Sequence, residues 1–324
     1  MPSRKKLGNR YHVPLYVEKR IRPYVRETPV EHSLYLSRLG ECKVFMKLEN
    51  YQITGSFKVR GAMNKLFSLS EEEKKAGIVT ASSGNHGIAL AYGLKTLGLK
   101  GIIYLPCYTS ESKIEALRDY DVDLEFYGDD CLKTEEFARR SAEENNQTYI
   151  PPYNDWKIIA GQATVAVELA RQISKMDAVL VPVGGGGLIS GIAGYLKSLD
   201  KSITIIGCQP ENSAVMWASI KAGRIVRIES QPTLSDGTAG GIEQGSLTFD
   251  ICRKHVDDFI LVSEEEIRDS MRLILARHSM LIEGAAALPV ASFIKAKNGF
   301  KGKTVVLVLS GCRISTDHLR VILS

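Results

Sequence analysis

Short, continuous runs of apolar residues alternate with longer segments of helical period along most of this 324-residue chain. The apolar runs are rich in Val, Ile and Leu, and they predict buried strands at 77–81, 101–105, 122–127, 178–183, 203–206 and 305–309. The segments of helical period predict helices at 85–97, 132–144, 159–173, 188–199, 264–278 and 284–296, with one more opening near Ser110. Apolar strands separated by helices are typical of parallel sheets that are covered on both faces. The pattern therefore predicts an α/β protein built on parallel sheets.

Ligands bind to such sheets in the loops beyond the carboxyl ends of the strands. The first candidate loop, residues 54–62, contains the lysine Lys58. It leads into a predicted helix for which Ser56 is the expected N-cap. Lys58 then lies in the first turn, where the helix dipole disfavours a cation, and apolar neighbours such as Phe57 desolvate it. Both effects lower the pKa of the amine and favour the neutral form that makes a Schiff base. A surface lysine on an amphipathic helix is the simpler interpretation of this loop alone.

A second loop, residues 81–87, joins a predicted strand to a predicted helix and is built of small and polar residues. Its glycines let backbone amides approach a ligand, and the start of the helix favours a carboxylate or a phosphate. Ser82, Ser83, Asn85 and His86 add side-chain hydrogen-bonding groups. The loop predicts an anion site, and an ordinary Ser/Asn helix cap is the alternative.

The third loop follows the strand at 178–183 and consists of four glycines and a leucine: Gly184, Gly185, Gly186, Gly187 and Leu188. Successive glycines at a helix N-terminus expose a row of backbone N–H groups, which binds anions. The dinucleotide pattern Gly-x-Gly-x-x-Gly is not met, because Ile189 or Ser190 occupies its third position. The loop therefore favours a monophosphate over a dinucleotide.

The strand at 305–309 ends in Ser310 and Gly311, again at a place where parallel sheets bind ligands. The Ser310 hydroxyl could hydrogen-bond a heteroaromatic nitrogen at this position. A serine that merely ends a strand is the simpler interpretation without further context.

Composition narrows the classes of protein further. The net charge is +5, with an excess of basic residues in the first 26 positions, but no nucleic-acid-binding signature follows them. No apolar stretch typical of a secretory signal follows these charges. No apolar run is long enough to span a membrane. The six cysteines include no CxxC pair, which indicates a reduced, cytoplasmic protein without a disulfide framework or a zinc site. We expect a small-molecule partner, with no nucleic acid and no membrane.

Taken together and in this order, these loops resemble the threonine/serine dehydratase and serine racemase family of fold-type II pyridoxal-phosphate (PLP) enzymes. The resemblance runs from about Leu15 to the end and rests on six motifs: Gly-Ser-Phe-Lys-x-Arg-Gly-Ala, Ser-Ser-Gly-Asn-His-Gly, Ile-Ala-Gly-Gln at 159–162, the four glycines, Ile-Glu-Gly-Ala at 282–285, and Ser-Gly at 310–311. Each motif is weak alone, but a chance match of the whole set is improbable. The resemblance implies a tryptophan synthase β-like α/β fold of two parallel-sheet domains with the active site between them. Residues 1–51 and 152–324 would form the large cofactor-binding domain, and 52–151 a small, mobile one.

The resemblance also implies a role for each matching residue. Lys58 corresponds to the Schiff-base lysine, Phe57 to the residue beside the cofactor ring, Asn85 to the partner of its 3′-oxygen, and Ser310 to the serine on its pyridine nitrogen. The phosphate cup corresponds to Gly184, Gly185, Gly186, Gly187 and Leu188. The residues implied to bind the substrate carboxylate are Ser82, Ser83, His86 and, from the facing segment, Asn154. Glu283 lies where the family keeps an acidic residue near the site.

The implied activity is PLP-dependent elimination of water from a hydroxy amino acid such as L-threonine or L-serine, giving a 2-oxo acid and ammonia. Lys58 would be the general base. Racemisation of serine or hydroxyaspartate is the alternative, because Ser83 matches the second base of the racemases. A non-catalytic protein that has kept the fold is a third hypothesis, against which the retention of Lys58 and the phosphate loop argues.

Departures from the family pattern limit these expectations. The acidic metal ligands of the racemases are replaced by Gln209 and Val215, so no metal site is expected. The segment 232–249 is similar to other dehydratase branches, including hydroxyectoine-pathway enzymes, which leaves the preferred substrate open. No C-terminal allosteric domain is expected after Ser310. A homodimer or homotetramer is expected by analogy with the family.

Overall fold

The computed structural model describes residues 13–323, so the basic residues before position 13 lie outside it. Within this part of the chain, the strands are β1 (Val30–His32), β2 (Lys43–Leu48), β3 (Ile78–Ala81), β4 (Gly101–Leu105), β5 (Asp123–Phe126), β6 (Thr148–Tyr149), β7 (Ala178–Pro182), β8 (Thr204–Pro210), β9 (Asp258–Val262) and β10 (Thr304–Leu309). The α-helices of the same part are α1 (Val13–Ile21), α2 (Leu34–Gly40), α3 (Lys58–Ser68), α4 (Glu71–Ala76), α5 (Asn85–Leu97), α6 (Glu111–Arg118), α7 (Cys131–Glu144), α8 (Trp156–Gln162), α9 (Thr164–Gln172), α10 (Gly187–Leu199), α11 (Val215–Ala222), α12 (Leu247–His255), α13 (Glu264–His278), α14 (Gly284–Ala296) and α15 (Thr316–Leu323).

The strands form two sheets. The larger sheet has the order β1-β2-β10-β7-β8-β9, and all its neighbouring strands are parallel except β1 and β2. The smaller sheet, β5-β4-β3-β6, is wholly parallel and takes its strands from residues 78–149. The larger sheet takes its strands from both sides of that segment. This confirms the predicted two-domain α/β architecture, while the domain boundaries at 51/52 and 151/152 stay a prediction.

Strand β10 shows why the central strands are apolar throughout. Val305, Leu307 and Leu309 pack in one core with residues of α13 and α14. Val306 and Val308 face the opposite side and pack with residues of α9 and α10. Successive side chains of a strand point to opposite faces, so a strand with helices on both faces has no position left for a polar residue.

Most predicted elements are confirmed, with bounds that differ by a few residues. The helix predicted at 159–173 is wrong as a single element, because the chain forms α8 and α9 with Ala163 between them. The prediction missed β1, β2, β6 and β9, and β2 carries two lysines that hide its apolar character. Between residues 13 and 323, no helix combines the length and the hydropathy that crossing a membrane requires.

A buried ion network holds the start of α3 against the larger sheet. The Arg60 guanidinium donates two hydrogen bonds to Glu49, both 2.8 Å long, and two to Glu168, at 2.8 and 2.9 Å. Lys47 of β2 donates to the same Glu168 carboxylate at 2.6 Å and to the carbonyl oxygen of Thr28 at 2.7 Å. The side chains of Lys47, Glu49, Arg60 and Glu168 are fully buried. Buried charges are tolerated only when they are paired and hydrogen-bonded, as they are here.

Two glycines let α3 and α8 approach closely enough for this network to form. A Cβ on Gly161 would lie 2.5 Å from the carbonyl oxygen of Arg60 and 2.6 Å from the Cα of Gly61. Real Cβ atoms do not approach other atoms so closely, so a side chain at position 161 would push α3 away. The Ile-Ala-Gly-Gln motif is therefore a packing motif that supports the lysine-bearing helix.

We expect Arg60→Ala to lower the free energy of unfolding by about 3–5 kcal/mol, because it leaves the buried Glu49 carboxylate without its cationic partner and Glu168 with Lys47 but without the guanidinium. Chemical denaturation of the protein without cofactor measures this change. Arg60→Lys keeps the charge but loses the paired hydrogen bonds, so its loss should be smaller. The control is Arg118→Ala, which removes an exposed ion pair with Glu111 and should cost under about 1 kcal/mol. Equal losses for Arg60→Ala and Arg118→Ala would contradict a stabilising role for the network.

Candidate active site

Lys58 is the first residue of α3 and lies at the carboxyl end of the larger sheet. Its Nζ donates to the carbonyl oxygen of Pro152 at 2.9 Å and lies 5.5 Å from the centre of the Phe57 ring. The predicted N-cap, Ser56, is wrong: the N-cap is Phe57, whose backbone is already helical. Ser56 instead forms a β-bridge with Gly311, and its buried hydroxyl makes no hydrogen bond to the start of the helix.

The environment of Lys58 makes its amine easier to deprotonate. Burial lowers the pKa of Lys58 to about 8, and the negative charge of Glu283 opposes this shift. A pKa near 8 leaves a useful fraction of neutral amine at physiological pH. This agrees with the nucleophilic role that the sequence predicts.

Ser310, at the end of β10, is joined to the lysine loop through the backbone. Its carbonyl oxygen accepts from the N–H of Phe57 at 3.1 Å, and the N–H of Cys312 donates to Gly55 at 2.9 Å. Ser310 is only 1% exposed. These backbone bonds fix Ser310 next to Lys58, although the two residues are far apart in the chain.

The four-glycine loop joins β7 to α10 and packs against two other segments. A Cβ on Gly185 would overlap the ring of Tyr153, and one on Gly184 would lie 2.9 Å from the Cα of Thr238. Gly186 has a φ of +86°, a backbone conformation in which a residue with a side chain is strained. Thr248 Oγ1 donates to the carbonyl oxygen of Gly185 at 2.6 Å. The first amides of α10 have no intrahelical acceptor, so the loop fits a phosphate.

The Ser-Ser-Gly-Asn-His loop follows β3 and leads into α5. The Gly84 N–H donates to Ser82 Oγ at 3.3 Å, and Ser82 and Ser83 are both partly exposed. His86 is turned inward: its Nε2 lies 3.2 Å from the carbonyl oxygen of Ile150, and the residue is 3% exposed. Burial, with a contribution from the charge of Lys58, lowers the pKa of His86 to about 3. The imidazole of His86 is therefore neutral, and its hydrogen bond to Ile150 helps to hold the loop in place.

A contact between Asn85 and Glu283 joins the N-terminus of α5 to the N-terminus of α14, which packs on the larger sheet. Asn85 Nδ2 donates to both carboxylate oxygens of Glu283 at 3.0 and 2.9 Å, and Asn85 Oδ1 is buried without a partner. The N–H of Arg313 donates to Glu283 at 3.1 Å. Burial raises the pKa of Glu283 to about 7, with a contribution from Asp236, whereas these hydrogen bonds and Lys58 lower it. The unpartnered Asn85 oxygen marks a place for a polar ligand group, and Nδ2 of the same amide can donate to an oxygen of an aromatic cofactor.

Asn154, predicted to face the substrate, is held by a segment that the prediction did not include. Its Nδ2 donates to Glu243 at 2.8 Å, and its Oδ1 accepts from the N–H of Leu247 at 3.0 Å. Tyr153 lies beside it, and its hydroxyl accepts from the N–H of Glu243 at 2.9 Å. Neither Tyr153 nor Glu243 lies in a periodic pattern or a motif from which the sequence could have predicted it.

The sequence lacks the acidic residues that bind a divalent metal in the racemases, and Gln209 replaces one of them. In the structure, the Gln209 side chain makes hydrogen bonds to the backbone. Gln209 Nε2 donates to the carbonyl oxygen of Val183 at 3.1 Å, and its Oε1 accepts from the N–H of Trp217 at 2.8 Å. Among residues 13–323, no group of three or more His, Cys, Asp or Glu side chains is arranged to hold a metal ion.

Comparison with known proteins agrees with this geometry. The model of the family described as pyridoxal-phosphate dependent enzyme matches residues 21–311. The L-threonine ammonia-lyase of Thermotoga maritima is 38% identical over 302 residues, which is 93% of this chain and 75% of that protein. The processed threonine deaminase isoform 2 of Solanum lycopersicum superposes with a TM-score of 0.93 at 30% identity, covering 99% of this chain and 93% of that one. The serine racemase of Dictyostelium discoideum gives a TM-score of 0.87 at 34% identity, with coverages of 94% and 98%.

We expect Gly185→Ala to weaken PLP binding by about tenfold or more, because the methyl group displaces either Tyr153 or the phosphate loop. Titration of the cofactor-free protein, followed by absorbance, measures the dissociation constant. Gly194→Ala is the matched control, since Gly194 lies on α10, which follows this loop, and a Cβ there meets nothing within 4 Å. Equal affinities for the two variants would contradict a phosphate site at the four glycines.

We expect the rate at which the cofactor-free protein captures PLP to rise with pH, with a midpoint near 8 instead of the ordinary 10.5. Only the neutral amine attacks an aldehyde, and burial lowers the pKa of Lys58. Stopped-flow absorbance between about pH 6 and pH 10 measures the profile, with a simple alkyl amine as the control. A midpoint at or above about 10 would contradict the role of burial.

Proposed function

Because the chain belongs to the family of pyridoxal-phosphate dependent enzymes, we propose that it eliminates water from a hydroxy amino acid of the threonine or serine type. The products are a 2-oxo acid and ammonia. The observation that carries this proposal is the position of Lys58, whose amine of lowered pKa lies at the sheet end that also presents Ser310. The activities named for the Thermotoga and Solanum proteins support the choice of substrate and reaction.

The residues around Lys58 suit the different parts of the cofactor. When bound, PLP withdraws electrons from the α-carbon of the substrate and so weakens the bonds to it. The amides of the four-glycine loop would hold the phosphate, and Phe57 would lie beside the ring. Asn85 would donate from Nδ2 to the 3′-oxygen, once Nδ2 is released from Glu283.

Substrate binding uses the loop before α5. Ser82, Ser83 and the first amides of this 13-residue helix would hold the substrate carboxylate, because a helix N-terminus attracts an anion. His86 would keep the loop in place through its bond to Ile150, since it is buried and neutral. Asn154 would face the substrate from the opposite segment.

Lys58 is the residue that we propose for proton transfer from the substrate. Its Nζ would remove the α-proton of the substrate as general base, since an amine of pKa near 8 is partly neutral at physiological pH. Ser310 offers the pyridine nitrogen a neutral hydroxyl, which does not keep that nitrogen protonated as a carboxylate would. This limits the charge that the ring can hold and favours prompt loss of the β-hydroxyl over transamination.

Racemisation is a second candidate, which one feature of the site favours. Ser83 lies on the loop that would hold the substrate carboxylate, and a hydroxyl there can supply a second base to pair with Lys58. The Dictyostelium serine racemase has a very similar fold. We place elimination first because the relative from Thermotoga maritima, at 38% identity, is named an ammonia-lyase.

Domain organisation, assembly and location remain part of this proposal. We propose that residues 52–151 move as a small domain against residues 1–51 and 152–324. The six cysteines are free, which is consistent with a reduced, cytoplasmic compartment. A homodimer or homotetramer is proposed by analogy with the family.

A substrate panel separates the two activities. We expect the protein to release ammonia and 2-oxo acid from L-threonine or L-serine when these, 3-hydroxyaspartate and their D-forms are assayed for both ammonia and inverted amino acid. Lys58→Ala should lower the rate by about 10³-fold or more, because it removes both the cofactor's attachment and the base. Ser83→Ala should abolish any inversion, while elimination from the L-substrate continues with a raised KM, because Ser82 and the first amides of α5 still hold the carboxylate.

The matched control for Lys58→Ala is Lys74→Ala, which removes a lysine paired with the exposed Glu71 on the protein surface. It should leave the rate of elimination unchanged. A Lys58→Ala variant that works as well as the parent would overturn the proposal. Equal loss of both activities in Ser83→Ala would show that Ser83 is not a dedicated second base.

A further inference from the structure

Glu243 lies at the meeting point of the two sheets, next to the proposed substrate site. It belongs to residues 239–248, here termed the strap, which connect the short helical turn Asp236–Thr238 to the start of α12. One carboxylate oxygen accepts from Asn154 Nδ2 at 2.8 Å, and the other accepts from Arg139 Nη2 at 2.7 Å. The two oxygens of one side chain therefore hold residues from different parts of the fold.

The strap determines which way the Asn154 amide is turned. Oδ1 accepts from the N–H of Leu247 at 3.0 Å, while Nδ2 donates to Glu243. Turning the amide over would place an N–H against an N–H and an oxygen against a carboxylate. An amide group offers two donor hydrogens and two acceptor lone pairs, so one of each remains for a ligand. The orientation of these remaining groups is set by Glu243.

Arg139 connects the strap to the smaller sheet. It lies on α7, which packs on that sheet, and its guanidinium lies 4.4 Å from the centre of the Tyr149 ring on β6. Its Nη2 is shared between Glu135, at 2.8 Å, and Glu243. The side chains of Arg139 and Glu243 are 35% and 30% exposed, so this pair can separate at low cost when the cleft opens.

The strap also belongs to the hydrogen-bonded frame of the phosphate loop. The N–H of Glu243 donates to the hydroxyl of Tyr153, whose ring packs against Gly185. Thr248 at the other end of the strap donates to the carbonyl oxygen of Gly185. A change confined to the Glu243 side chain would therefore affect Asn154 and Arg139, while the backbone bond to Tyr153 and the bond from Thr248 to Gly185 remain.

We propose that Glu243 is a positioning residue: it orients the Asn154 amide toward the substrate and ties α7 across the cleft through Arg139. This inference rests on the proposed function, because it assigns the oriented amide to substrate binding. A contact that is equal in the bound and transition states affects KM and leaves kcat largely unchanged. Loss of Glu243 should thus appear in KM, without a change in the affinity for PLP.

The test compares Glu243→Gln with Glu135→Gln. Both variants remove one carboxylate from Arg139, but only Glu243→Gln leaves a single, uncharged acceptor oxygen for which Asn154 and Arg139 compete. We expect Glu243→Gln to raise KM for L-threonine or L-serine about tenfold with kcat within about threefold, as for loss of a charge-assisted hydrogen bond. Glu135→Gln should change KM less than about twofold. The PLP dissociation constant should stay within about twofold in both variants.

Hydrogen exchange of the cofactor-free protein supplies a readout that needs no turnover. The Leu247 amide should exchange about tenfold faster in Glu243→Gln, because its acceptor Asn154 is no longer fixed. It should be unchanged in Glu135→Gln. An unchanged KM together with unchanged exchange in Glu243→Gln would overturn the inference, as would equal effects of the two substitutions. If the parent protein acts on no hydroxy amino acid, the proposed function fails, and the exchange of Leu247 still tests the role of Glu243.

Discussion

The paired burial of Arg60 between Glu49 and Glu168 is the constraint on which the site depends. Arg60 lies two residues after Lys58, so the same helical turn carries both the ion network and the proposed catalytic amine. A charge that is removed from water must keep its partners, and this ties α3 to the loop after β2 and to α9. The position of Lys58 at the sheet end follows from this requirement, because α3 cannot shift without exposing or separating the buried charges.

With α3 held in this way, the remaining site residues come from strand ends that parallel pairing brings together. β10 lies between β2 and β7, so Ser310 and the four-glycine loop follow neighbouring strands of one sheet. β3 and β6 are neighbours in the other sheet, and they lead to the serine loop and to Tyr153 and Asn154. In the proposed function, the cleft between the two sheets would thus have a cofactor side and a substrate side, joined by the Asn85–Glu283 contact and by the strap.

Electrostatics within this cleft favour neutral groups over charged ones. Burial lowers the pKa values of Lys58 and His86 and raises that of Glu283. All three shifts arise mainly from desolvation, which penalises the charged form whatever its sign. A site that disfavours isolated charges suits an uncharged amine, whereas the partly exposed pair of Arg139 and Glu243 at its edge is screened by water and can separate.

The amino-acid sequence by itself determined the α/β class and most helix and strand positions, and it singled out the loops to which we propose to assign the chemistry. It could do so because strand and helix periods and glycine-rich loops are local properties of the chain. The prediction of Ser56 as an N-cap was wrong, because Ser56 forms a bridge with Gly311, which is 255 positions away in the chain. The prediction of a single helix at 159–173 was wrong, because the chain begins a second helix at Thr164. Only the tertiary structure revealed that His86 turns inward, that Arg60 is a buried anchor and that Glu243 holds Asn154. Those facts depend on contacts between segments far apart in the chain, and no local pattern of residues encodes which distant partner a polar side chain will meet.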